Sequence, residues 1–428
     1  MNVLLLILSL IIYASFGLKS LIFILFSMLT TYIAARNFKS KYKKIILIST
    51  IFVNAIILIF IKLFPDGVNL FDGTKHLNIL VPLGISYYTL QVISYLVDVY
   101  KGKYEPEKSL LKYTLYITYI PHLFIGPISR YDEMKNQIDA KRKLTLTNLY
   151  NGSIRIVWGL LKKLVIAGRI SIVIAVISGN IEIYNGLYAL IAMLLYSIQL
   201  YSDFSGGIDI VLGISKILGI NLVENFDSPF SSQSIKEFWR RWHISLGAWL
   251  KEYIYIPLGG NRCSKIKKAV NLLITFTVSG LWHGAHYILW GIMHGIFVMI
   301  GDKGKTKYKW LNRCITFLIV SLLWSFFIWN DTLTSVNMIF SIFKDFNITA
   351  VFQNLLELGL ALADWIILLV FTMTLFIFDG NKTKIIEKIK KSSPELKTII
   401  VCMLILFVFV FGIYGIGFNV SEFIYSKF

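Results

Sequence analysis

Six histidines are spread over 428 residues, and four of them fall between His243 and His294. The densest run is Ser279–Gly295, SGLWHGAHYILWGIMHG. If this run is one helix, His283 and His294 lie about three turns apart and share a face. His286, one turn from His283, is near that face as well. Gly280, Gly284, Gly291 and Gly295 would let another helix or a narrow substrate approach the backbone closely. Three chemistries compete. Histidines can bind metal, but no acidic ligand is near and no H-E-x-x-H pattern occurs, so no metal ligands are assigned. They can be hydrogen-bonded packing residues. They can also act as a general base, because imidazole titrates near neutral pH and can take a proton from a hydroxyl nucleophile. On spacing alone packing and base catalysis stand level, with metal binding behind them.

The stretch Asn221–Arg262 interleaves charges with aromatics: NLVENFDSPFSSQSIKEFWRRWHISLGAWLKEYIYIPLGGNR. A helix over about Ser234 to Tyr255 would align Phe238, Trp242, Leu246, Trp249 and Tyr253 along one apolar stripe, with Glu237, Arg240, Arg241 and Lys251 elsewhere. Ser231 or Ser234 could cap it, and Glu237 could complete a capping box with Ser234. Pro257 and Gly259–Gly260 would end it. Such a helix would lie in the membrane interface or dip towards a protein-lined cavity.

The elements that must position these residues are membrane spans. The chain is 56% hydrophobic and only 16% charged, against about 25% charged in soluble domains, and its mean hydropathy is +0.68. Ile45–Lys62, Gly186–Tyr201, Leu311–Trp329, Trp365–Phe378 and Thr398–Phe418 each approach bilayer-crossing length, among about 10 to 12 such segments. The first apolar run lacks a basic n-region and a small-residue cleavage site, and reads as an uncleaved span. The formal charge of +19 sits in short loops: Arg36–Lys44, Arg262–Lys268, Lys303–Lys309 and Lys382–Lys397. This is the pattern of cytoplasmic loops against anionic lipid, so nucleic acid is dismissed as a partner and membrane lipids are retained. Cys263, Cys314 and Cys402 form no ligand pattern. One polytopic membrane domain over residues 1–428 is expected, with 423–428 as a tail motif. Within spans an ionisable group suggests function by default. Even so, His122 beside Pro121 and Pro127 reads as structural, Asp98 as a span end, Glu224 and Asp227 as solvated, and His76 as a loop residue without a role.

Several segments together resemble the membrane-bound O-acyltransferase superfamily, in its bacterial branch of alginate and peptidoglycan O-acetyltransferases. They are VPLGISYYTLQVISYLVDVYKG (Val81–Gly102), IPHLFIGPISRY (Ile120–Tyr131), QLYSDFSGGIDIVLGISKILGINLVENF (Gln199–Phe226), Pro229–Arg262 and the Trp-His-Gly run. The PLGGNR ending is closer to the alginate branch than to the D-alanyl transfer protein of teichoic acids. The resemblance implies an all-α polytopic fold: a ring of tilted helices, with re-entrant or interfacial helices, around a central thinned channel. It implies a multi-pass protein of the bacterial cytoplasmic membrane. His283 would be the catalytic histidine, with His294 a second catalytic candidate and Arg240, Arg241, Trp242, His243, Asp203 and Asp209 shaping the site. No bound cofactor is expected. The donor would be acetyl-CoA or another acyl thioester from the cytoplasmic side, and Trp282, His286 or Arg241 could stabilise the oxyanion. Where many relatives carry an F-F-R-A run, this chain has Phe326-Phe327-Ile328-Trp329-Asn330, which leaves any role of that arginine unfilled.

The final six residues, Phe423 to Phe428, read F-x-Y-x-x-F. They are similar to a short C-terminal motif of envelope-acylation systems, in which a tyrosine would receive the acyl group and relay it. A phenol pKa near ~10 makes its ester a better leaving group than an alkyl ester. Tyr425 is therefore a candidate relay, and an interfacial aromatic anchor is the plainer alternative. If Asp379–Lys397 is cytoplasmic, the next span puts this tail outside. Final transfer to a polysaccharide or peptidoglycan is expected to need an extracytoplasmic acetyltransferase or esterase-like partner. D-alanyl transfer to teichoic acid is the rival within the enzyme class. A transporter with a histidine proton relay is the rival outside it, weakened because no repeated halves are seen.

Overall fold

The computed structural model describes residues 2–63, 68–69, 76–77, 82, 84–301, 305–329 and 331–414. Tyr425, Asn330 and part of the Lys303–Lys309 loop lie outside them. The architecture is all-α. Among the described residues, β-pairing is confined to a two-residue antiparallel match of Val68–Asn69 with His76–Leu77. Among the described residues six helices are long and apolar enough to cross a membrane: Leu18–Arg36, Lys43–Leu63, Leu187–Ile217, the Lys309–Ile328 unit, Leu362–Gly380 and Pro394–Phe411. Asn2–Ser15 and the unit Ala285–Ile300 are shorter apolar helices. This is fewer full-length spans than the 10 to 12 expected, because several apolar runs are broken by turns. The run at Ile120–Tyr131, for instance, makes only the five-residue helix Ile120–Phe124 beside Pro121.

Two neighbouring helices show how small residues set the packing. Gly152 and Gly159 of Leu146–Leu161 face Gly213 and Gly206 of Leu187–Ile217. A Cβ at Gly206 would stand 2.7 Å from the Gly159 carbonyl oxygen, and one at Gly213 2.7 Å from that of Gly152. Nothing larger than glycine fits, so the backbones touch. Past Leu161 the helix widens into a π-helical turn, Lys162–Ala167. The extra residue turns adjacent lysines towards the same neighbour: Lys162 meets Asp209 at 2.5 Å and Lys163 pairs with Asp203.

Among the described residues two large apolar cores result, beside a smaller cluster at Met193, Trp329 and Met338. One gathers Tyr196, Phe204, Phe238, Trp242, Trp290 and Trp324. The other gathers Tyr88, Tyr95, Tyr113, Tyr131, Trp249 and Trp282 around the N-terminal helices. The expected continuous helix from Ser234 to Tyr255 is not formed. It splits into Ile235–Arg241, Ile244–Leu250 and a π-turn Lys251–Tyr255. The break is His243, whose φ of 46° is a left-handed conformation that a non-glycine residue adopts at a cost. The turn sends Phe238 and Trp242 into the first core and Leu246 and Trp249 into the second. Ser234 does cap the first piece, accepting from Glu237 N at 3.3 Å, while the Glu237 carboxylate accepts from Gln233 N at 2.9 Å in place of Ser234 N. Left-handed Gly259 and Gly260 follow the last turn, as expected. The Asp379–Lys397 stretch, read as a polar loop, contains an amphipathic helix, Lys382–Lys391.

Candidate functional site

Ser264 caps the helix Lys265–His283, its hydroxyl accepting from Lys267 N. The Trp-His-Gly run is two helices, contrary to the single helix expected. Gly284, at φ 150°, ends the first immediately after His283. A 3-10 turn, Ala285–Tyr287, then reverses the chain into Ile288–Ile300. The glycines expected to permit close approach do so within this hairpin. A Cβ at Gly280 would meet the Tyr287 backbone, and one at Gly291 the Phe276 carbonyl.

His283 therefore sits at a helix end, 6% exposed, on the seam between the two cores. Trp282 beside it belongs to one core, while Tyr287 and Trp290 belong to the other. Its ring centroid lies 4.6 Å from Trp282, 5.5 Å from Trp290 and 5.6 Å from Phe327. The hairpin brings His294 close by a route other than a shared helical face: Trp290 stands between them, 4.9 Å from His294. His294 is fully buried, and its Nδ1 accepts from the Trp239 indole at 3.2 Å. An indole only donates, so the His294 proton resides on Nε2. Nε2 has no hydrogen-bond partner among the described residues. The indole nitrogens of Trp290 and Trp324 are also buried without one. Such groups carry the full cost of desolvation, roughly 1–3 kcal/mol each.

Two of the segment's expected site residues join this centre. Trp242 packs 5.4 Å from Trp324, which stacks at 5.5 Å on Trp290. His243 approaches Trp282 at 6.2 Å, with its Nδ1 3.4 Å from Asn225 Oδ1. That oxygen also accepts from Ser245 N and Oγ, at 3.0 and 2.9 Å.

Other expected residues are elsewhere. Asp203 and Asp209 engage the lysines of the π-turn, and Asp209 also takes Arg155 at 2.9 Å. Glu224, expected to be solvated, is exposed, and it also accepts a two-pronged bond from Arg155 at 2.6 Å in each arm. Asp98 is buried and paired, accepting from Tyr253 at 2.8 Å. Arg240 and Arg241 line a separate polar cavity of about 350 Å³ with Asp227, Lys236 and Glu237. The three anticipated oxyanion donors have different surroundings. The Trp282 indole is committed to the Ser86 carbonyl at 3.2 Å. His286 is exposed, and Arg241 is paired with Glu237 at 3.0 Å. Phe327, from the stretch that replaces F-F-R-A, stacks on Tyr287 at 4.2 Å. His122, read as structural, is buried with Nε2 3.2 Å from Gln91 Nε2.

Sequence reasoning missed Trp290, Trp324, Trp239 and Asn225. Trp290 stands within the quoted histidine run and could have been found there. Asn225 and Trp239 stand within the quoted stretch Asn221–Arg262, while Trp324 carried no local signal.

The profile of the MBOAT, membrane-bound O-acyltransferase family matches residues 106–329, more than half of the chain and nearly all of the centre just described. The chain belongs to the membrane-bound O-acyltransferase family. It is 34% identical over 364 residues to a "Peptidoglycan O-acetyltransferase" of Helicobacter pylori, covering 74% of this chain and 69% of that protein. A "Probable alginate O-acetylase" of Pseudomonas syringae pv. tomato is 39% identical over 257 residues, 58% of this chain and 49% of that protein. A "Teichoic acid D-alanyltransferase" of Bacillus subtilis is 32% identical over 269 residues, 58% and 67% of the two chains. The chain thus spans about half the length of the alginate relative it matches.

Proposed function

We propose that this membrane-bound O-acyltransferase family member moves an acyl group, an acetyl group by preference, from a thioester donor to a hydroxyl acceptor for modification of an envelope polysaccharide or peptidoglycan. The observation that carries the reading is the setting of His283: an imidazole at a helix end, on the seam between two cores, beside buried indole N–H groups that have no partner among the described residues. His283 takes the proton of the acceptor hydroxyl. The freed oxygen adds to the thioester carbonyl, and the tetrahedral oxyanion collapses by expelling the thiolate. The imidazolium returns its proton to that sulfur, so ester and thiol are the products. An unpartnered indole N–H near the reacting carbonyl could stabilise the oxyanion without reorganising.

Tyr425 is the proposed first acceptor. The last described helix is held near its end, where Arg169 donates to the Phe411 carbonyl at 2.5 Å and Ile413 N to that of Leu164 at 3.0 Å. Roughly eleven residues separate Tyr414 from Tyr425, a reach of up to about 36 Å. The donor is proposed to be acetyl-CoA. An extracytoplasmic acetyltransferase or esterase-like protein would take the group from Tyr425.

The test is transfer of labelled acetyl from acetyl-CoA to the purified protein, with the label mapped by mass spectrometry. Label on Tyr425 is expected in the wild type and absent from both His283→Ala and Tyr425→Phe, the histidine loss being on the order of 10²-fold or more. Label that survives Tyr425→Phe sinks the relay and leaves the acyltransferase. No label from acetyl-CoA, but label from a D-alanyl carrier thioester, moves the chain to the teichoic acid reaction.

A further inference from the structure

A cavity of about 740 Å³ has none of the histidines in its lining. Its walls are the helices Leu146–Leu161 and Leu187–Ile217, the end of Leu362–Gly380 and the middle of Pro394–Phe411. The amphipathic helix Lys382–Lys391 lies across it. That helix turns Ile385, Ile386 and Ile389 into the cavity, while Lys384, Glu387 and Lys388 are exposed. Opposite stand Trp158, Ile208 and Leu212, so the interior is apolar enough for a hydrocarbon chain.

The charges on this wall do not balance. Five cations, Arg155, Lys162, Lys216, Lys382 and Lys390, face three carboxylates, Asp209, Glu224 and Asp379. Arg155, Lys162 and Lys382 are held by Asp209 and Glu224. Tyr201 donates to Asp379 at 2.5 Å. Lys216 donates to Asn221 Oδ1 at 2.7 Å, and neither it nor Lys390 has a carboxylate partner among the described residues. An apolar trough roofed by a lysine-rich interfacial helix, with surplus cations at its wall, complements one chemistry: an anion attached to an acyl chain.

We propose that this cavity binds an anionic phospholipid, with one acyl chain between the Lys382–Lys391 helix and the Trp158 wall and its phosphate at Lys216 and Lys390. Docked there, the lipid joins the amphipathic helix to the paired helices beneath it and reduces the cavity's excess of positive charge. The site is independent of the chemistry assigned to His283.

Trp158 is the reporter. The full chain is reconstituted in vesicles of phosphatidylglycerol or phosphatidylcholine carrying brominated chains, and quenching specific to Trp158 is taken as wild type minus Trp158→Phe. Stronger quenching by phosphatidylglycerol is expected. Lys216→Gln with Lys390→Gln is expected to remove that preference, at roughly five-fold in relative affinity per lysine. Native mass spectrometry of the wild type and the double lysine variant supplies a second readout, in which retained phosphatidylglycerol should fall in parallel. Equal quenching by the two lipids, no quenching specific to Trp158, or an unchanged preference in the double variant each overturns the proposal. Relief of quenching by acetyl-CoA would overturn it too, by giving the cavity to the soluble donor.

Discussion

Two polar assemblies in this protein are built on opposite plans. Around the π-turn, Lys162, Lys163 and Arg155 meet Asp203, Asp209 and Glu224, and each charge faces an opposite one. Around His283 the character is aromatic. Imidazoles and indoles meet edge to face, and polar atoms of Trp290, Trp324 and His294 have no partner among the described residues. A charge in a membrane protein must be paired to be tolerated, so the first assembly is used up in holding helices together. A neutral N–H can stay buried without a partner at a cost of a few kcal/mol. That leaves it available to a substrate atom. The contrast separates residues that fasten the fold from residues that await a ligand.

The largest test of this contrast strikes the paired side. Asp209→Ala leaves Lys162 without its carboxylate and Arg155 with only Glu224. A loss of about 3 kcal/mol is expected, read as a lower thermal midpoint in detergent. Acyl transfer per folded molecule should be kept. If transfer collapses while stability holds, the charge network belongs to the chemistry and the contrast fails.

Trp290→Phe strikes the other side. It keeps an aromatic ring against His283 and removes one partnerless N–H. If that donor meets the oxyanion, acyl transfer should fall on the order of 10²-fold in rate, with the donor KM little changed. Stability should hold or rise slightly, because an unsatisfied group is gone. An unchanged rate would assign Trp290 to packing alone.

The smallest effect concerns a paired group outside the spans. Burial alone would raise the carboxyl pKa of Glu107, but hydrogen bonds from the Tyr131 hydroxyl and Ser109 N–H outweigh it and hold the pKa below the ordinary glutamate value. A depressed folded pKa stabilises above the ordinary glutamate pKa, and this stabilisation is lost as pH falls through the folded value. Thermal midpoints of wild type and Glu107→Gln measured from pH 7 downwards should therefore converge towards the acid end. A constant gap would mean that the Tyr131 contact does not depend on the charge.

Much of the fold was legible because composition and run length report on bilayer burial directly. Lys43–Leu63 and Leu362–Gly380 contain the apolar runs read at Ile45–Lys62 and Trp365–Phe378. What periodicity could not reveal was where such runs break. The stripe from Phe238 to Tyr253 is a valid amphipathic pattern, yet His243 adopts a left-handed turn that divides it between two cores. His283 and His294 show the same limit. Their spacing predicted a shared helical face, and a helix hairpin joins them through Trp290 instead. Asp203 and Asp209 followed the family's motif but are held by lysines that only the π-turn aims at them.

By itself, the sequence determined an all-α membrane protein, its main spans and the histidine-rich run, because hydrophobicity and residue chemistry are properties of short segments. Only the tertiary structure decided which side chains meet. It put Trp290, Trp324 and Phe327 around the histidines, committed Trp282 to the Ser86 carbonyl and moved Arg240 and Arg241 into a separate cavity. Whether a buried donor is satisfied depends on partners distant in the chain, and packing chooses those partners.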